Sequence, residues 1–179
     1  NLGSANTSRN LAVGADGTIY SVYNSISGGI RVARSTDRGQ TFQASVQVSA
    51  TNAEAEITVS SSGIVYVAWI SGGNALVSRS LDGGQTFAAP VTAGVASNSV
   101  HMATDASRVY LIDQGGNNFH ASADHGQTFS PVAINASQVF SDVHVDPSNG
   151  NVIVQVDNPT VKYYVSTNQG ASFGPQILP

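Results

Sequence analysis

Short runs of Val, Ile, Leu and Tyr recur along the chain and are separated by turns rich in Gly, Asn, Asp and Ser. The run at residues 65–70, VYVAWI, is continuously apolar, which is typical of a strand covered on both faces. The tight turns at 15–17, 62–63 and 147–150 contain Gly or Asn, which positive φ angles favour. No segment has the period of an amphipathic helix. The pattern therefore predicts an all-β protein.

An eight-residue motif, Ser-x-Asp-x-Gly-x-Thr-Phe, begins at residues 35, 80 and 122, and a fourth copy with Asn for Asp and Ser for Thr begins at residue 166. Each copy follows an apolar strand, a tight turn and further strand sequence. The spacing of about 42–45 residues is typical of one four-stranded blade of a β-propeller. The sequence therefore predicts a single domain, residues 1–179, of four-stranded antiparallel blades in a small ring or in a segment of a larger propeller. The units are expected at about 8–52, 53–97, 98–138 and 139–179.

We call the four motif copies the box turns (residues 35–42, 80–87, 122–129 and 166–173). Their third residues are Asp37, Asp82, Asp124 and Asn168. A side-chain oxygen at this place can accept N–H bonds across the turn, while the Ser and Thr hydroxyls bond locally and Gly takes a left-handed conformation. Repeated catalytic or metal sites are the alternative interpretation. Because the fourth turn has Asn168 and Ser172, which a turn tolerates better than a reaction does, we expect the box turns to be structural.

Composition excludes several classes of function. The chain has seven basic and eleven acidic residues and a formal charge of −4, so it has no basic stripe for nucleic acid. It has no Cys, which excludes thiolate metal sites, and no apolar run of the roughly 20 residues that a membrane-spanning helix needs. Scarce Lys and abundant Ser, Asn and Thr fit a secreted or cell-surface bacterial protein. We expect no membrane insertion and no cofactor.

The box turns resemble the Asp box, or bacterial neuraminidase repeat, of sialidases and other secreted propellers, and the resemblance covers essentially the whole chain. It implies that the box turns lie opposite the ligand face. That face would contain the loops at 24–29, 71–74, 114–118 and 157–160, with the segments around Arg9, Glu54, Asn98 and Ser141. The candidate ligand-binding residues in these loops are Asn24, Asn74, Asn117, Asn118 and Asp157.

For a sialidase, the resemblance implies a six-bladed ring in which three arginines bind the substrate carboxylate. A Tyr–Glu pair then serves as the nucleophile and an Asp as the acid/base. Only Arg9 falls at the end of the blades where the resemblance requires an arginine. Glu54 and Glu56 are candidate acids or bases, with ordinary surface or blade-edge carboxylates as the alternative. Because four units cannot supply six blades, the sequence favours a non-catalytic protein over a complete glycosidase.

Two histidines are candidate metal ligands. His101 and His144 fall in the first strand of the third and fourth units, which in a propeller is the innermost strand. Neutral imidazoles bind transition metals, but no carboxylate spacing completes a ligand set. Hydrogen-bonded or solvent-facing histidines are therefore the alternative, and we expect no metal.

Three hypotheses about function remain. The first is a non-catalytic extracellular binding or adhesion module whose loop face contacts a glycan or a cell-surface protein. The second is a sialidase-like glycoside hydrolase or a fragment of one, and the third is a structural spacer in a large surface protein. Open blade edges also predict strand pairing between two copies of the chain in a homodimer.

Overall fold

A computed structural model describes residues 10–114, 117–134, 139–157 and 160–178. Within these ranges the regular secondary structure consists of strands, which form four antiparallel sheets in chain order, so the all-β prediction is confirmed. The extent of the domain, residues 1–179, stays a prediction.

The first three sheets have four strands each, and the strands neighbour one another in sequence order. The first sheet contains β1 (Leu11–Val13), β2 (Ile19–Asn24), β3 (Ile30–Ser35) and β4 (Val46–Ser49). The second contains β5 (Ala55–Val59), β6 (Val65–Ser71), β7 (Asn74–Ser80) and β8 (Val91–Val95). The third contains β9 (Val100–Thr104), β10 (Val109–Asp113), β11 (Asn118–Ser122) and β12 (Ser130–Val132).

The fourth sheet differs from the predicted four strands. It contains β13 (Val139–Val145), β14 (Val152–Asp157) and β15 (Lys162–Ser166). In place of a fourth strand, Ile177 forms a single bridge with Tyr163. Pro175 lies in this segment, but Pro131 stands at the same place relative to its own box turn and lies within β12, so a proline here does not by itself prevent the strand.

The sheets pack face to face as propeller blades. The first strands β1, β5, β9 and β13 contact one another in succession and form the inside of the array. Three apolar clusters lie between successive sheets: one between the first and second, one between the second and third, and one between the third and fourth. Among the described residues, no strand of the fourth sheet packs on the first sheet as successive sheets do.

The two ends of the blades carry different connections. The turn between the first two strands of each sheet and the box turn lie at one end, which we call the box end. The loop between the second and third strands and the connection to the next sheet lie at the other end, which we call the loop end. This division follows from the antiparallel strand order, and it agrees with the hydrogen bonds that join loops and connections, such as Ala96 N to Gly73 O at 3.1 Å.

Each box turn is closed by its own side chains. In the second turn, Asp82 Oδ1 accepts hydrogen bonds from Ser80 Oγ at 2.7 Å and from Thr86 N at 2.9 Å, while Asp82 Oδ2 accepts one from Thr86 Oγ1 at 2.6 Å. Ser80 Oγ in turn accepts Gly84 N at 2.7 Å. The fourth turn repeats this pattern with Asn168 Oδ1, which accepts Ser166 Oγ at 2.8 Å. These contacts support the structural interpretation of the turns.

The first box turn makes the stability of the protein depend on acidity. The Thr41 hydroxyl, then the Thr41 amide and the Ser35 hydroxyl, lower the pKa of Asp37 to about 2. Because the folded state holds the carboxylate ionised, Asp37 stabilises the fold above its ordinary pKa of 3.8, and this stabilisation is lost as the pH falls towards 2.

We therefore expect the difference in thermal midpoint between the protein and Asp37→Asn to be largest above pH 4 and to shrink towards pH 2, because an amide does not ionise in this range. Asn168 shows that an amide can close such a turn. Calorimetry of both proteins across this pH range measures the effect. A difference that stays constant with pH would contradict the assignment.

The box turns also connect neighbouring blades. A tyrosine on the second strand of each of the first three sheets packs its ring against the glycine of the next box turn; the pairs are Tyr20 with Gly84, Tyr66 with Gly126 and Tyr110 with Gly170. Two arginines add hydrogen bonds to the same turns. Arg34 Nη1 donates to Gly83 O at 2.9 Å, and Arg79 Nη1 donates to His125 O at 2.8 Å.

Candidate functional site

Four polar residues occupy equivalent positions on the inner strands or, for Asn10, directly before one. In each unit the first two strands form a hairpin. Counted back along the first strand from the last paired residue before the turn, the residue three positions earlier is polar in every unit. These residues, which we call the inner arc, are Asn10, Glu56, His101 and Asp142. Because the inner strands of the four sheets lie side by side, the inner arc follows the inside of the array.

Glu56 and His101 are in contact across two blades. Glu56 Oε1 accepts a hydrogen bond from Met102 N at 2.9 Å, and Glu56 Oε2 lies 3.1 Å from His101 Nδ1. Glu56 is fully buried, whereas the His101 side chain is 17% exposed. An isolated buried carboxylate is strongly unfavourable, so the Met102 amide, which donates to Oε1, and the nearby His101 ring, both from β9, account for its burial beside the next blade.

The contact unites two residues that the sequence assigned to different chemistries. Glu56 was a candidate acid or base and His101 a candidate metal ligand. The structure gives Glu56 neither a surface position nor a blade-edge position, because its carboxylate is covered by the inner strand of the next blade. The arrangement joins the second and third blades.

The remaining catalytic and metal candidates lie elsewhere. Arg9 is outside the described residues, and Glu54 is exposed. His144 is exposed and lies two positions further along its strand than Asp142, so it is not the equivalent of His101. Within the described ranges, no group of three or more His, Asp or Glu side chains could hold a metal ion.

Of the predicted ligand-binding asparagines, Asn24 binds the connection to the next blade, and Asn118 contacts the end of the preceding sheet and its own second strand. Asn24 Oδ1 accepts Ala53 N at 3.3 Å. Asn118 Nδ2 lies 3.4 Å from both Val95 O and Asp113 Oδ2. These side chains therefore hold the loop end together, and any ligand contact would use their remaining donors and acceptors.

The other three candidates are also at the loop end. Asn74 Nδ2 donates to Gly72 O at 3.2 Å, and Asp157 Oδ1 accepts Gln155 Nε2 at 3.1 Å. Asn117 is exposed and has a positive φ of 52°. An asparagine tolerates this left-handed conformation better than most residues, so the loop presents its amide outward.

The described part of the loop end exposes neutral polar side chains beside a few apolar ones, Ile26, Val95, Val139 and Val161. The neutral polar side chains in its loops and connections are Ser27, Thr51, Asn52, Ser97, Asn98 and Asn117. Ile26, at the tip of the loop after β2, is 92% exposed. Glu54 is the exposed acidic residue of the connection between the first two sheets. This surface offers amides and hydroxyls as hydrogen-bonding groups.

The described arginines lie away from this surface or bind within their own blade. Arg34 and Arg79 donate to box turns, and Arg38 is exposed within the first box turn. Arg108 pairs with Asp105 at 3.8 Å in a turn at the box end. Arg31 Nε donates to Ser45 Oγ at 2.9 Å in the outer part of the first sheet. The described part of the chain therefore gathers no cluster of arginines around Glu56.

A buried histidine was missed by the sequence analysis. His120 is 6% exposed, and neither of its ring nitrogens has a hydrogen-bond partner. Burial lowers its pKa, against the opposing influence of the Asp113 carboxylate. Its ring occupies the place where Gly94 of the preceding sheet has no side chain, since a Cβ there would lie 2.1 Å from the ring. His120 therefore fills the interface between two blades.

The described residues contain no helix that is long and apolar enough to cross a bilayer.

Comparisons with known proteins reveal the fold. A scan against protein-family models found no match, and neither did a search of curated proteins. Among solved structures, the chain is similar to a GH74 enzyme from Niastella koreensis, with a TM-score of 0.68 at 20% identity, over 96% of this chain and 25% of that chain. It is also similar to YCF48 bound to a D1 peptide, with a TM-score of 0.63 at 11% identity, over 94% of this chain and 52% of that chain.

A Hadza microbial sialidase is similar as well, with a TM-score of 0.52 at 16% identity, over 92% of this chain and 45% of that chain. The chain thus spans between a quarter and about half of the length of these three proteins. At identities of 20% or less the likeness shows the fold alone. Together with the four antiparallel sheets, it shows that the chain forms blades of a β-propeller.

Proposed function

We propose that this chain is a non-catalytic carbohydrate-binding part of an extracellular bacterial protein, and that its loop end contacts the ligand. One observation carries the proposal: the described loops and connections of the loop end expose amides and hydroxyls with few charges, whereas four of the five described arginines and the box-turn carboxylates lie at the box end. Neutral sugars are recognised through hydrogen bonds to their hydroxyls, for which amide side chains supply both donors and acceptors. The Asp-box resemblance supports the same choice of end.

The surroundings of Glu56 support binding rather than catalysis. A general acid or base must reach the proton that it transfers, and Glu56 is fully buried with Met102 N and His101 as partners. The described arginines do not surround it, although a sialidase needs arginines for the carboxylate of its substrate.

A glycoside hydrolase, or a piece of one, is the second candidate function. The contact of Glu56 with His101 on the inner strands favours it, because a carboxylate beside a partly exposed histidine can serve acid–base chemistry once a ligand or further blades change its surroundings. Turnover of a fluorogenic glycoside that is lost in Glu56→Gln would support this candidate against the first.

The binding proposal is tested by a glycan array followed by titration calorimetry on the best carbohydrate. Asn117→Gly removes an exposed amide at the loop end while allowing the positive φ. Arg38→Gly removes an exposed guanidinium at the box end, where the φ of 60° is likewise compatible with glycine. We expect Asn117→Gly to weaken binding about tenfold, corresponding to the loss of one hydrogen bond, and Arg38→Gly to leave it unchanged.

The absence of carbohydrate binding on the array would contradict the proposal and favour a structural spacer. A loss of affinity in Arg38→Gly with none in Asn117→Gly would instead place the ligand at the box end.

A further inference from the structure

Within residues 10–114, 117–134, 139–157 and 160–178, no sheet covers one apolar face of the first sheet. Leu11, Val13 and Phe42 are 60%, 64% and 48% exposed. The strand register makes Ile57, Met102 and Val143 the equivalents of Leu11 in the other sheets. Each of these three side chains is at most 1% exposed. The box-turn phenylalanines of the other units, Phe87, Phe129 and Phe173, pack into the three clusters between blades. The first sheet is therefore built to receive a preceding blade.

One face of the fourth sheet is likewise covered by no sheet in the described part of the chain. At the position where β2, β6 and β10 have the tyrosine that packs into the next box turn, β14 has Ile153. Val165 stands opposite it on β15, at the position of Arg34 in the first sheet. The box end of this face is thus aliphatic, unlike the tyrosine-bearing faces of the first three sheets.

Each of the two open faces has a polar residue near its centre, at a position that is apolar in the interfaces between blades. Gln155 occupies the position that holds an apolar residue on the second strand of each other sheet; those residues are Val22, Ala68 and Ile112. Ser21, on the open face of the first sheet, likewise replaces Val67, Leu111 and Val154. If the two faces met, a polar amide would lie opposite a hydroxyl in an otherwise apolar interface.

Near the loop end, the two open faces carry opposite charges. Asp157 lies at the last position of β14 on the open face of the fourth sheet, and Arg31 lies on the open face of the first sheet opposite Tyr23. Both are half-buried, and opposite charges at these places favour pairing between the two faces.

We propose that two copies of this chain associate head to tail, with the fourth sheet of each copy packed on the first sheet of the other. Such a dimer has two identical interfaces related by a two-fold axis, and it closes the array into eight blades. Closure buries Leu11, Val13 and Phe42 together with Ile153 and Val165. It also explains why the polar residues Ser21 and Gln155 occur together on the two open faces. The partner of these faces is a second copy because its own fourth sheet carries the matching set.

The test is the mass of the chain in solution, measured by light scattering at several concentrations. We expect twice the monomer mass of 18.4 kDa. Val13→Asp places a charge in the interface and is expected to give the monomer mass. Leu81→Asp is the matched control, because Leu81 is 67% exposed in the second box turn and lies outside the proposed interface. Circular dichroism shows whether each variant keeps its β structure.

A mixing experiment tests the head-to-tail arrangement. Val13→Asp and Ile153→Asp are each expected to be monomeric alone, but an equimolar mixture retains one intact interface and is expected to form a heterodimer. A wild-type monomer at every concentration would overturn the proposal, and so would a dimer that persists in Val13→Asp. A mixture that stays monomeric would exclude the head-to-tail arrangement. These masses are independent of carbohydrate binding.

Discussion

Gly170→Ala is expected to lower the thermal unfolding midpoint of this protein far more than Gly150→Ala does. Both glycines have positive φ angles, of 80° and 74°, so alanine costs about 1–2 kcal/mol at either position. Only at Gly170 would the new Cβ meet a neighbour, because it would lie 2.6 Å from the buried ring of Tyr110. Overpacking of this kind costs a further 1–3 kcal/mol or so.

The two variants therefore separate backbone strain from the packing of one blade on the next. In a protein of this size, each kcal/mol lost from the free energy of unfolding lowers the thermal midpoint by about 2–4 °C, so calorimetry resolves the difference between the two variants. Equal midpoints for the two variants would show that the tyrosine–glycine contacts do not hold the third and fourth blades together.

Glu56→Ala is expected to destabilise the protein by about 3 kcal/mol or more, because it removes a buried acceptor and leaves the Met102 amide and the His101 ring without that partner. Glu56→Gln keeps an oxygen for Met102 N and is expected to fall between this variant and the wild type. Unfolding in urea, followed by tryptophan fluorescence, reports these changes through Trp69, which is buried between the first two blades.

Glu54→Ala is the matched control, since Glu54 belongs to the same segment and is exposed. Its expected change is below about 0.5 kcal/mol. A Glu56→Ala protein as stable as Glu54→Ala would mean that the contact with β9 contributes nothing to joining the blades, and the account of the inner arc would then be wrong.

The blade repeats could be predicted from sequence because the motif that sets them is local. Asp82 bonds only to residues within four positions of itself, so its partners can be identified along the chain. The apolar run of β6 likewise indicates a strand covered on both faces, and the first five residues of this strand are buried. The fourth blade departs from the prediction in its last strand, which is reduced to the bridge of Ile177 with Tyr163, although the third blade forms its last strand with a proline at the equivalent position.

The inner arc could not be predicted from sequence in the same way. The connections between the first two strands differ in length, occupying residues 14–18, 60–64, 105–108 and 146–151, so equivalent positions do not recur at a fixed spacing. The pair that sequence comparison suggested, His101 and His144, is therefore out of register by two residues. The burial of Glu56 depends on a neighbouring blade about 45 residues away in the chain, and a single strand pattern carries no sign of it.

Chemical-shift mapping of the isotopically labelled protein with its best carbohydrate tests the central claim most directly. If the loop end binds the ligand, the largest shifts will fall on the amides of residues 24–29, 71–74 and 96–99 and on Asn117 and Asn118, while the box turns stay unchanged. Shifts concentrated in residues 35–42, 80–87 and 122–129 would contradict the account, because they would place the ligand on the turns that we describe as structural.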